Sequence, residues 1–229
     1  MRSKPFVLSP TALILAALIG LCTLPAVHAH DVPDGKKARD IDTVNADIEI
    51  GRDAEAGDLD TVNGDIEVGA GSKVGDADTV NGDITLADGV SAGGAETVNG
   101  DIEAGRDVVA NGDIETVNGA IKFDNGGRVS GGLETVNGTI KLTGTSVERD
   151  IETVNGDISL LAGSTVKGKL IVRKPHGNWC LFSCDDDKPV IEIGANAEVA
   201  GGLLLEREVE LRQDPSAKVG PIVYAYDKK

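Results

Sequence analysis

The amino-acid sequence predicts an all-β chain: a three-sided parallel β-helix, or β-solenoid, with about 18 residues per rung. Three observations carry this. One phrase recurs seven times, as TVNADI at Thr43, TVNGDI at Thr61, Thr79, Thr97 and Thr153, TVNGAI at Thr116 and TVNGTI at Thr135, at spacings of 18, 18, 18, 19, 19 and 18 residues. A short fixed period marks units that cannot bury an apolar face alone and must stack on their neighbours. Second, aliphatic residues return every six positions, from Val44, Ile50 and Ala56 through Val62, Val68, Val74 and Val80 to Leu86. That places three short strands and three corners in each rung, with the hexad residues expected inside. Third, the sides alternate, as in Asp65-Ile66-Glu67-Val68, which puts apolar groups on one face and acids on the other. Helical periodicity is absent, and frequent Gly, Asn and Asp oppose helix formation.

Residues 1–29 read as a secretory signal peptide. Arg2 and Lys4 form a basic start, Thr11 to Leu24 an apolar run, and Val27-His28-Ala29 a small-residue cleavage site. The run is short for a transmembrane span. Cys22 follows Leu21, where a lipid-attachment site needs a small residue. Residues 30–40 are expected to be a linker or cap, 41–226 the solenoid, and 227–229 a tail. The solenoid is expected to have about nine rungs, near 45 Å in length at strand spacing, and to coil right-handed as parallel crossovers do.

The phrase has a mechanical reading. Asn-Gly marks a sharp corner, since both residues tolerate positive φ. Stacked at that corner, Asn45, Asn63, Asn81, Asn99, Asn118, Asn137 and Asn155 are expected to form a structural ladder at about 4.8 Å spacing. Asn111-Gly112-Asp113-Ile114 repeats the wording twelve residues after Asn99, two sides on, so the corners look interchangeable.

Beyond the repeats, Val166 to Val199 spans 33 residues, one rung of 18 plus 15, and residues 174–188 are those 15. They read as an inserted loop projecting from a corner. In it Cys180 and Cys184 suit a disulfide in an oxidising compartment, against a His176-Cys180-Cys184 metal site disfavoured by Pro175, Gly177 and export. Trp179, Leu181 and Phe182 form a candidate interaction tip, the alternative being that they fold back on the coils.

Charge is concentrated in the repeats. Residues 40–160 hold 26 Asp and Glu against 7 Lys and Arg, a net of −19, whereas 161–229 hold ten of each. Such a surface repels nucleic acid and anionic lipid. Asp47, Asp65, Asp83 and Asp101 should stack, with Glu49, Glu67 and Glu103 beside them, as an exposed acidic face whose repulsion salt relieves. Ca²⁺ is a weak alternative for such oxygen-rich ranks, because the spacing of calcium β-rolls is missing. The Thr rank is similar to the regular arrays of ice-binding solenoids, but Asp or Glu precedes every Thr and spoils a weakly hydrated face.

The TVNGDI phrase on this register behind a signal peptide resembles an adhesin family of bacterial β-strand-repeat envelope proteins, over about residues 41–160. The resemblance implies a β-solenoid at the cell envelope and nothing catalytic. More distantly the three-sided coil is similar to bactofilins, which lack export. The hexad phase also looks like hexapeptide acyltransferases, but only His176 lies in the body of the chain and export removes the usual acyl donor. No Gly-rich phosphate loop or Ser/His/Asp set is legible.

The sequence therefore points to an exported, periplasmic or extracellular, non-enzymatic structural or adhesive envelope protein with an acidic surface. A divalent-cation-dependent binding module is the alternative, and a carbohydrate-acting β-helix enzyme, short of aromatic platforms, comes third. No catalytic residue, cofactor or metal site is assigned. The partner is an unnamed envelope component, with no nucleic acid and no membrane insertion after cleavage, and self-association stays open.

Overall fold

The computed structural model describes residues 30–175 and 188–226, which wind as a β-solenoid of three parallel sheets. Among the described residues, sheets 1 and 3 have ten strands each and sheet 2 has seven. Each strand pairs with its counterpart one coil on: in sheet 1, Ile48 opposes Ile66, Ile66 opposes Ile84 and Ile84 opposes Ile102. Ten coils replace the expected nine because residues 30–40 form most of the first one. His30–Val32 pairs with Ile48–Ile50, and Lys37 bridges Glu55.

Sheet 1 follows the alternation of the DIEV segment. Ile48, Ile66, Ile84, Ile102, Ile121, Ile140, Ile158 and Ile191 stack inside as one fully buried rank. Glu49, Glu67, Thr85 and Glu103 stand in register outside. Each buried isoleucine contributes about 1.5–3 kcal/mol. Sheet 2 is thinner and fills its side with Ala92, Ala110, Val129, Val147, Val166 and Val199. Phe123 is fully buried, and Gly127 accommodates it: a Cβ there would meet the ring at 3.0 Å. Bulk on one side of a rung is offset by its absence on the next.

Sheet 3 corrects the expected hexad phase. The valine of the repeated phrase faces outward, and the threonine faces in. Thr61, Thr79, Thr97, Thr116, Thr135 and Thr153 are buried, whereas Val44 is 50% exposed and Val62, Val98, Val117, Val136 and Val154 are half-buried. Val80 is buried but lies outside the continuous core cluster, which takes Ala77 from the same strand. Inward threonine is stable because its hydroxyl has a partner. Thr61, Thr79, Thr97 and Thr116 Oγ1 donate to the carbonyls of Ala46, Gly64, Gly82 and Gly100, each at 3.0 Å. A hydrogen-bonded hydroxyl can be buried at little cost.

The Asn-Gly corner also differs from expectation. No Asn or Gly of the seven phrases has positive φ. Glycine is there because the rungs touch: a Cβ at Gly82 or Gly100 would lie 1.9 Å from the carbonyl oxygen of the preceding corner glycine. TVNADI can carry Ala46 because its corner is the first of the stack, with no described rung beneath it. Positive φ falls instead mostly at the corner between sheets 1 and 2, as at Asp53, Gly71, Gly89, Asp107, Gly126 and Asn196, and at Gly202 between sheets 2 and 3.

The coils continue across residues 174–188. Ile158 pairs with Ile191 and Val166 with Val199, so the 33-residue step is one rung with an added segment.

Candidate functional site

The corner after each TVN carries a continuous ladder of side-chain amides. Nδ2 of Asn63, Asn81, Asn99, Asn118, Asn137 and Asn155 donates to Oδ1 of the Asn one coil earlier, at 2.8–2.9 Å. All six amide dipoles point the same way. At the oxygen end Arg207 closes the stack, its Nη1 donating to Asn155 Oδ1 at 2.8 Å and to Val154 O at 3.2 Å. A cation at the negative end of aligned dipoles is favourable, as at a helix C-terminus. Asn111 sits at another corner and donates to Ala92 O at 2.9 Å.

Many of the acids are brackets rather than free surface charge. At the same corner, Oδ1 of Asp47, Asp65, Asp83 and Asp101 accepts the backbone N–H of residues 65, 83, 101 and 120 at 2.7–3.0 Å. Asp157 does the same for Val190. Asp40, Asp58, Asp76, Asp113 and Asp150 repeat the device at the corner entering sheet 3. Asp34 and Asp88 repeat it at the remaining corner. Asp47, Asp65, Asp83 and Asp101 are exposed as expected, and each also makes a charge-assisted hydrogen bond to the next rung.

The outer face of sheet 3 carries a different acidic rank. Asp42, Asp60, Asp78, Glu96, Glu115, Glu134 and Glu152 oppose one another in register over seven rungs. They share the outer face of the sheet with the valines of the phrase. Burial, with the Asp42 carboxyl hydrogen-bonded alongside and the charges of Asp42, Asp58 and Asp76, pushes Asp60 up to about 6. Asp78 is pushed up to about 7 by burial and then by Glu96 and Asp60. Glu134 is pushed up to about 8 by burial, Glu152 and Glu115, against a lowering pull from Arg173. Desolvation and like charge thus act together to hold protons on this face near neutral pH.

Arg173 terminates the rank. Its guanidinium forks onto Glu152, with Nη2 to Oε2 at 2.9 Å, and its Nη1 reaches Glu206 at 3.3 Å. All three side chains are less than one-fifth exposed. Beyond it the outward rank turns apolar: Glu152 is followed by Ile171, Leu204 and Val223. The added segment is rooted beside them. Lys174 N–H donates to Glu206 at 3.3 Å, Lys188 pairs with Glu208 at 2.7 Å, and Pro189 O accepts Glu210 N–H at 2.9 Å.

The candidate tip Trp179, Leu181 and Phe182, the Cys180–Cys184 disulfide and His176 lie outside the described residues. Among the described residues no group of three or more His, Cys, Asp and Glu side chains is arranged to hold a metal ion, and no helix is long and apolar enough to cross a membrane. An open groove runs over sheet 2, lined by Arg128, Ser130, Ser146, Glu148 and Thr165, with Lys167 pairing Glu148 at 2.6 Å. No family model matches the chain, and comparison with curated proteins and with solved structures also finds no match.

The sequence reading missed the Arg207 and Arg173 clamps and the aspartate brackets. It also missed the burial of the sheet 3 acids. For those acids a signal was present, since every Thr of the phrase is preceded by Asp or Glu.

Proposed function

We propose that the chain is an exported, non-enzymatic structural or adhesive element of the cell envelope, a stiff rod that presents flat acidic faces to a partner. One observation carries this reading. The polar residues that the repeat preserves are bonded from rung to rung: the Asn amides to each other, the Thr hydroxyls to carbonyls and the corner Asp carboxylates to amides. Repetition here encodes shape. Shape of this kind suits a spacer or a surface for attachment. The leader-like residues 1–29 support a location outside the cytoplasm.

The test is fractionation of cells producing the full chain, with mass spectrometry of its N-terminus, followed by affinity capture from envelope extracts. The proposal expects a processed chain starting at His30 in the envelope or medium and co-purification of an envelope component. An unprocessed Met1 chain held in the cytosol contradicts it.

A second reading, a cation-dependent binding module, draws support from Asp60, Asp78 and Glu134 in the in-register rank of sheet 3, whose raised proton affinity a bound cation would relieve. Millimolar Ca²⁺ stabilising the chain well beyond NaCl of equal ionic strength favours this second reading. Equal effects favour plain screening of the net charge.

A further inference from the structure

Eight Asn-Gly pairs occur in the chain, at Asn63, Asn81, Asn99, Asn111, Asn118, Asn125, Asn137 and Asn155. Each is a site where a chain can react with itself. The glycine nitrogen attacks the Asn Cγ; the new N–Cγ bond forms, the Cγ–Nδ2 bond breaks, and ammonia leaves with the amide proton. The product is a cyclic imide. Water then adds to one of its two carbonyls and opens the ring to aspartate or isoaspartate. One water is consumed, one ammonia is released, and no oxidant or cofactor takes part.

The attack needs a side chain free to swing its Cγ over the next nitrogen. Six of the eight pairs lack that freedom. Their amides donate to the rung before at 2.8–2.9 Å, and each of their oxygens accepts from the rung after, or from Arg207 in the case of Asn155. Asn111 is held by Ala92 O at 2.9 Å, and the Gly112 N–H that would attack is bonded to Gly93 O at 2.6 Å. Asn125 differs from all of these. It lies exposed in the turn between sheets 1 and 2, its side chain makes no hydrogen bond among the described residues, and Gly126 follows it at φ +85°. The Gly126 N–H is engaged by Gly144 O at 3.1 Å, a longer bond than the 2.6 Å one at Gly112.

We propose that Asn125 is the deamidation site of the folded protein, and that the Asn ladder shields the six Asn-Gly pairs it contains. Conversion at Asn125 places a new carboxylate beside Asp124 and the Asp107 whose N–H bonds to Asn125 O at 3.0 Å. The rod gains charge at one turn while its ladder stays intact. Deamidation inside the ladder does more damage, because an aspartate there turns a donor toward the neighbouring Oδ1 into a second acceptor.

The test ages the full chain in mildly alkaline buffer, folded and in urea, and locates amide-to-acid conversion by peptide mass spectrometry. The expected result is conversion at Asn125 in the folded chain, with ladder positions slower by on the order of tenfold or more, since two net hydrogen bonds must open first. In urea all eight pairs convert at similar rates. Asn125→Gln removes the folded-state signal, and Arg207→Ala raises conversion at Asn155 selectively. Ladder asparagines converting as fast as Asn125 in the folded chain overturn the proposal. So does an Asn125 that stays intact when folded yet reacts in urea.

Discussion

Replacing Thr97 by valine keeps the shape of a buried side chain and removes one hydroxyl. Thr97 is 3% exposed and its Oγ1 donates to Gly82 O at 3.0 Å. Loss of that bond leaves a half-buried carbonyl short of a partner, at up to about 1–3 kcal/mol. The methyl that replaces the hydroxyl returns up to about 0.8 kcal/mol. The net expectation is a loss of about 1 kcal/mol; the triple variant at Thr79, Thr97 and Thr116 should lose more, though not by simple addition, because the three oppose one another on adjacent strands. Melting should fall by about 2–4 °C for each kcal/mol in a chain of this size. Urea unfolding followed by far-ultraviolet circular dichroism reads the change. Val98→Thr, on the outer face, is the control and should stay within about 0.5 kcal/mol. If Thr97→Val is neutral or stabilising while Val98→Thr costs more than about 1 kcal/mol, the valine of the phrase faces the core and the inward-threonine register is wrong.

Three other outcomes follow from the same structure. Asn99→Ala breaks two ladder bonds and should cost about 1–2 kcal/mol, whereas Asn45→Ala breaks one and should cost about half as much by urea unfolding. Asp60, Asp78 and Glu134 have proton affinities raised above their ordinary values, so the folded state binds protons that the unfolded chain releases. Stability should therefore rise as pH falls from about 8 toward 5, and the joint variant Asp78→Asn, Glu134→Gln should flatten that slope in a pH series of urea midpoints. A deletion joining Arg173 to Pro189 keeps the Ile158–Ile191 and Val166–Val199 register and should fold with a melting temperature close to that of the full chain. An unfolded deletion product would show that residues 174–188 are part of the coil.

The rung period and the isoleucine rank of sheet 1 were legible because through the seven phrases they recur with slips of only one residue: Ile48, Ile66 and Ile84 sit where alternation places them. Sheet 3 was not legible by the same rule. Thr and Val are both β-branched and both suit strands, so Thr-Val fits with either residue inward. Counting aliphatic residues favours Val, whereas the structure favours Thr because a carbonyl of the previous coil lies within its reach. The corner aspartates are surface charges, but that they also accept a backbone N–H from the next rung was not legible, because the alignment of carboxylate and amide exists only in the stack. The Asn ladder itself was visible from the phrase, but its closure was not. Arg207 lies 52 residues from Asn155 and outside the repeat, so no periodic signal joins them. The reason for glycine was also misread: contact between rungs requires it, and only the stacked structure brings Gly82 against Gly64.

The stacking of one rung on the next is tested most directly by a distance along the rod. Glu49 and Glu192 stand on the same outer rank of sheet 1, separated by 143 residues of sequence and by seven strand intervals. Nitroxide labels at Glu49→Cys and Glu192→Cys, with Cys22, Cys180 and Cys184 replaced by serine, report that separation by pulsed dipolar spectroscopy. Seven intervals at strand spacing predict one narrow distribution centred at about 34 Å. A broad distribution, or a centre below about 20 Å or above about 50 Å, would contradict a continuous solenoid through the added segment.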